Sequence, residues 1–175
     1  FITMRYPGDA RIIINNNQVN RVSLSGATNA LLTDNIAKGF GFAEGCEATL
    51  DHNLGAVWIA ESDNTVTISN CTIMRSQPDG DFSPAIISHH NPENEYEGNL
   101  VILHNNIFYG HDPFPYAVNP DIEVEGEGYN YLWNVDQAYA DEDELLPNDV
   151  MNEDPLLRGD YPFDYRLRAD SPCID

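Results

Sequence analysis

Lysine is almost missing from this chain. Among 175 residues the one lysine is Lys38, and with seven arginines it makes eight bases against 29 acids, a net charge of −21. Phosphate backbones and anionic lipid surfaces are recognised by clustered positive charge, so neither nucleic acid nor an anionic membrane is an expected partner. Such an excess of acid suits a salty medium or bound Ca²⁺, because either one screens the self-repulsion. No apolar run approaches the roughly 18 residues of a membrane-spanning helix, so no membrane insertion is expected. Cysteine is scarce as well. Cys46, Cys71 and Cys173 are an odd number, and read as small buried hydrophobes before they read as bridges. The chain opens on Phe1 without the basic, apolar and small-residue regions of a signal peptide, which fits a processed protein or a piece of a longer one.

A 3.6-residue apolar spacing is lacking too, which argues against amphipathic helices. What stands in its place is a repeat. The segments INNNQV from Ile14, LTDNIA from Leu32, LDHNLG from Leu50 and ISNCTI from Ile68 begin 18 residues apart. LHNNIF follows from Leu103, 35 residues on, and LWNV from Leu132, a further 29, as though insertions had lengthened two units. In each copy an Asn follows the apolar lead by two or three positions. A second apolar piece comes after it: RVSLS from Arg21, GFGFA from Gly39, VWIA from Val57 and AIIS from Ala85.

Units this short hold strands, and stacking them pairs equivalent strands in parallel about 4.8 Å apart. Equivalent Asn side chains then lie above one another, where amides hydrogen-bond between layers and tolerate the left-handed backbone of a sharp corner. Asn17, Asn35, Asn53, or their neighbours, with Asn70 and Asn105 are the expected column. The expected fold is all-β: a right-handed parallel β-helix, a solenoid with coils of about 18 residues plus loop insertions. Length makes residues 1–175 one domain. Residues 121–175, acidic at 16 of 55 positions, form an expected capping segment. Two loops, Gln77 to Gly98 and Gly110 to Pro120, are where a regular scaffold would build a binding surface.

Together, the Asn corners, the order VTISNCTI, AIIS, NLVILHNNIFYG, and the tail from DPLL to YRLRADSPCID resemble right-handed parallel β-helix proteins of the pectate-lyase-like superfamily. The resemblance covers about Ala30 to Asn134. It implies a secreted, extracellular or cell-surface protein acting on an acidic polysaccharide or other glycan, by lyase or epimerase chemistry. In that family an Arg takes a proton beside a uronate carboxylate, and Ca²⁺ with basic residues stabilises the resulting charge. Here the segment expected to carry the Arg is YGHDPFPY, from Tyr109 to Tyr116, and it has none. The family's Asp falls at Trp58 or Ile59, and its Lys near Asp81 to Ser83.

The residues themselves offer substitutes. YGHDP resembles a motif of alginate epimerases, with Phe114 where that motif has His. His104, Tyr109, His111 and Asp112 are therefore the candidate catalytic groups, since His and Tyr can trade a proton with a positioned carboxylate nearby. Arg75, Trp58 and Tyr116 are the candidate substrate contacts. Glu44, Glu61, Asp63, His89 and His90 align near one column and form a candidate Ca²⁺ or other metal site. The rival expectation is a non-catalytic glycan-binding, adhesin or structural fibre module. A discriminating feature is whether the few arginines converge on one groove.

Overall fold

The computed structural model describes residues 1–8, 11–61, 63–74, 86–89, 98–139, 145–158 and 166–174. Among these there is no helix, and every strand pairing within the two sheets is parallel. A six-stranded sheet holds β2 (Ile12–Asn15), β4 (Ala30–Thr33), β6 (Glu47–Asp51), β8 (Thr65–Ser69), β11 (Leu100–His104) and β13 (Glu123–Gly128), in that order. A nine-stranded sheet holds β1 (Ile2–Gly8), β3 (Gln18–Ala27), β5 (Ile36–Ala43), β7 (Leu54–Ala60), β9 (Thr72–Met74), β12 (Ile107–Tyr116), β14 (Tyr131–Gln137) and β15 (Val150–Met151). There β10 (Ile86–His89) also pairs with β7.

Alternation along each short strand sends one residue in two to the core. In the six-stranded sheet the repeat leads Ile14, Leu32, Leu50, Ile68 and Leu103 are in register and all buried. The facing sheet adds Val22, Phe40, Val57 and Ile86, and then Leu24, Phe42 and Ile59, in successive strands. Each column packs against itself and against the other sheet. One repeat assignment fails. The residue in register after Leu103 is Gly126, while Leu132 pairs with Phe108 in the other sheet. A Cβ on Gly126, at φ +140°, would stand 2.1 Å from the Leu103 carbonyl oxygen. Only glycine fits there, so the apolar mark of that repeat is absent from the sequence.

The chain passes from the six-stranded sheet to the other through a two-residue corner. Its first residue is left-handed: Asn16, Asp34, His52, Asn70, Asn105, Tyr129 and Asn148 all have φ between 51° and 64°. Its second residue points inward. Asn17, Asn35, Asn53, Cys71, Asn106, Asn130 and Asp149 form a ladder in which side chain follows side chain. Asn35 donates both its backbone N–H and its Nδ2 to Oδ1 of Asn53, at 2.9 and 3.0 Å. Asn106 does the same to Asn130, and Asn130 to Asp149. Asn70 and Asn105, expected in this column, lie instead in the exposed outer one; their inward neighbours are Cys71 and Asn106. A second corner carries a shorter ladder, from Cys46 to Asn64 to Asn99.

Cys71 is more than a buried hydrophobe. Cys71 Sγ accepts from the Asn53 N–H at 3.3 Å and donates to the Ser69 carbonyl at 3.1 Å. The carboxamide of Asn53 makes the same backward bond to Asp51. Burial pushes the Cys71 thiol up to about 12, which keeps its proton available for that bond.

Candidate functional site

The outer face of the nine-stranded sheet carries a groove of about 280 Å³. Alternation aims Arg21, Ser23 and Ser25 of β3 outward, and pairing sets them beside Gly39, Gly41 and Ala43 of β5. Trp58 of β7 is in register with Gly41, but its ring reaches sideways over Gly39. A Cβ at position 39 would lie 1.5 Å from the ring, so the missing side chain is what seats the indole. The Arg21 guanidinium sits 5.2 Å from the ring centroid, within cation–π range. Arg5 of β1 closes one end, donating to Glu44 Oε1 at 2.6 Å. The Ser25 hydroxyl donates to the other oxygen of Glu44. That bond, aided by Arg5, holds the Glu44 carboxyl below its ordinary range. Two of the scarce arginines therefore meet at one groove with a tryptophan.

Trp58 was the expected substrate contact, whereas Arg21 and the two glycines were not singled out as site residues. Their signal was the repeat itself: Arg21 and Gly39 are 18 apart, and carrying the alignment through the GFGFA strand would have set them side by side. Of the other expected contacts, Tyr116 is half-buried at the end of β12 opposite Gln137. Arg75 lies outside the described residues.

The candidate catalytic groups are divided by the corner at Asn105-Asn106. His104 ends β11 in one sheet, while Tyr109 lies in β12 of the other, between Met74 and Trp133. His111 and Asp112 belong to the backbone of β12, and their side chains fall outside the described residues. The His104 ring meets Tyr129 edge-on at 6.0 Å, and Glu127 stands 3.7 Å from its Nδ1. His104 thus packs against Tyr129 beside the corner column.

Of the candidate metal ligands, Glu44 and Glu61 follow the paired Ala43 and Ala60 and both line the Trp58 groove. Glu44 is held by Arg5 and Ser25. His89 is in backbone register with Ala60, one residue before Glu61, and His90 lies outside the described residues. Asp63 is left-handed at the second corner, against Gly98. Among the described residues no three His, Cys, Asp or Glu side chains come together as a metal site.

A second groove, of about 690 Å³, runs beside the first corner. Its floor is the outward column Thr72, Ile107, Tyr131 and Val150, and the described part of the C-terminal tail forms one wall. The Tyr131 hydroxyl donates to the Pro172 carbonyl at 2.9 Å and ties the tail to the sheet. Nearby, partial burial raises the Asp51 carboxyl, but hydrogen bonds from Asn70 and His52 outweigh that and leave it below its usual range.

No protein-family model, curated protein or solved structure matches the chain. The resemblance to pectate-lyase-like proteins rests on the quoted motifs alone.

Proposed function

We propose that this chain is a right-handed parallel β-helix that binds an acidic glycan across the outer face of its nine-stranded sheet. Support for the winding comes from strands that alternate between two parallel sheets at a near-constant 18-residue register. Crossovers between parallel strands are right-handed in about 98% of cases. The observation that carries the binding reading is the meeting of Arg5, Arg21 and Trp58 over a glycine floor. An indole face stacks on the C–H face of a sugar, and a guanidinium takes a carboxylate in a planar fork. The site belongs to a secreted or cell-surface protein in this reading. Ca²⁺ enters in this reading as a counterion to the acidic surface.

Binding without turnover is favoured over lyase or epimerase action by one observation: His104 and Tyr109 lie on different sheets on either side of a corner. The test is affinity for trigalacturonate and oligo-alginate, alongside an ultraviolet assay for unsaturated uronate with and without Ca²⁺. Trp58→Ala and Arg21→Ala should each weaken binding by roughly tenfold or more, with no unsaturated product from the wild type. Undiminished binding by both variants would overturn the site. Formation of the unsaturated product would restore the enzyme.

A further inference from the structure

We propose that the corner groove beside His104 is a second binding site, built for an uncharged sugar. The proposal is independent of the acidic glycan assigned to the Trp58 face. At about 690 Å³ the groove falls within the roughly 300–1,000 Å³ of small-ligand sites. Among the described residues, the fifteen that line it include no Asp, Glu, Lys or Arg, in a chain of which 21% is charged. An ionic ligand would find no opposite charge among those lining residues. A hydroxyl-rich neutral ligand would find amides and aromatic rings.

The amides are oriented. Asn105 Nδ2 donates to Asn70 Oδ1 at 2.7 Å, and Asn70 Nδ2 donates to Asp51 Oδ1 at 2.8 Å. All donors in this outer row point toward Asp51, so Asn105 Oδ1 ends the row as an acceptor that no donor reaches among the described residues. A sugar hydroxyl can fill that place, since it donates to one group and accepts from the next.

Tyr129 is the second mark. Other layers put Asn, Asp or His at this left-handed corner, residues that tolerate the conformation. Tyrosine at φ 62° is a poor choice for the backbone alone. Tyr129 is 51% exposed, and its ring stands at 81° to the His104 imidazole. An unfavourable residue kept at a regular position points to use of its side chain. His104 adds a third mark: its Nδ1 is shut from solvent without a hydrogen-bond partner among the described residues, and the Glu127 oxygen at 3.7 Å is too far. Nε2 is left as the ring's working atom toward a ligand.

The test is titration of ¹⁵N-labelled protein with maltotriose, cellotriose and mannotriose, with trigalacturonate as the charged comparison. At least one neutral trisaccharide should move the side-chain amide signals of Asn105 and Asn148. Tyr129→Asn restores the residue most common in the column and should fold; it should weaken that binding by roughly tenfold. Tyr129→His, the residue type that His52 places three layers away in the same column, is the second variant should the first misfold. Trp58→Ala should leave the affinity unchanged. The proposal falls if none of the three neutral sugars perturbs the groove at tens of millimolar, if trigalacturonate binds there equally well, or if folded Tyr129 variants bind as the wild type does.

Discussion

Asn53 and Asn70 occupy neighbouring columns of the same corner, yet the backbone asks opposite things of them. Asn53 is 3% exposed, and its Oδ1 takes two donors from Asn35. Alanine there strands both donors in the core, so Asn53→Ala should cost roughly 2 to 4 kcal/mol. Asn70 is exposed, and its amide bonds lie in the outer row. Asn70→Ala removes a residue suited to the left-handed region but orphans nothing in the core, and should cost about 1 kcal/mol or less. Urea unfolding of the two variants measures the contrast. Equal losses would mean that the inner ladder carries no special share of stability. The ladder ends at Asp149, whose carboxylate takes donors from Asn130 and from the Tyr139 hydroxyl at 2.6 Å. Burial raises the Asp149 carboxyl all the same, against the lowering effect of those bonds.

Between β5 and β7 the 18-residue register slips by one. Ile36 faces Leu54, but Gly39 faces Ala56, so Ala37 and Lys38 together oppose Gly55. A shift of one residue turns every later side chain to the other face. Without it Trp58 would pair with Phe40 and point into the core; with it Val57 and Ile59 go inward and Trp58 goes to the groove. The bulge depends on Gly55, which has φ +154° and would place a Cβ 2.3 Å from the Ala37 carbonyl oxygen. Gly55→Ala should therefore destabilise by about 2 kcal/mol or more. It should also alter the fluorescence of Trp58, read against a variant whose only tryptophan is Trp58. An unchanged melting point and spectrum would sever the link between the bulge and the site.

At the scale of the whole molecule, charge is the dominant surface term. Two ion pairs join Arg to a carboxylate among the described residues, Arg5 with Glu44 and Arg168 with Asp170. Both are exposed, where such pairs are worth about 0–1 kcal/mol. They leave most of the −21 unopposed. Repulsion among those charges is greater in the compact chain than in the expanded one, and salt screens it over about 10 Å at 0.1 M. The melting temperature should rise from low salt to molar NaCl, and millimolar Ca²⁺ should raise it at lower ionic strength. A melting temperature indifferent to both would show that the acids are already spaced beyond mutual influence.

The all-β class, the parallel stacking and the inward column from Ile14 to Leu103 were determined by the sequence itself, because an apolar side chain every 18 residues has one economical way to be buried. Three things waited for the tertiary structure. Pairs such as Asn16-Asn17 and Asn105-Asn106 offer two equal residues for one left-handed and one inward place, and Asn70-Cys71 hides its inward member behind a thiol that makes the same bonds. The layer after Leu103 is marked by Gly126, a residue recognised by the room it does not occupy, and a pattern of apolar side chains cannot register it. The outward turn of Trp58 follows from a single slipped residue at Gly55, and so does its seat on Gly39 beside Arg21. That slip is decided by backbone pairing between strands, which no count along one strand contains.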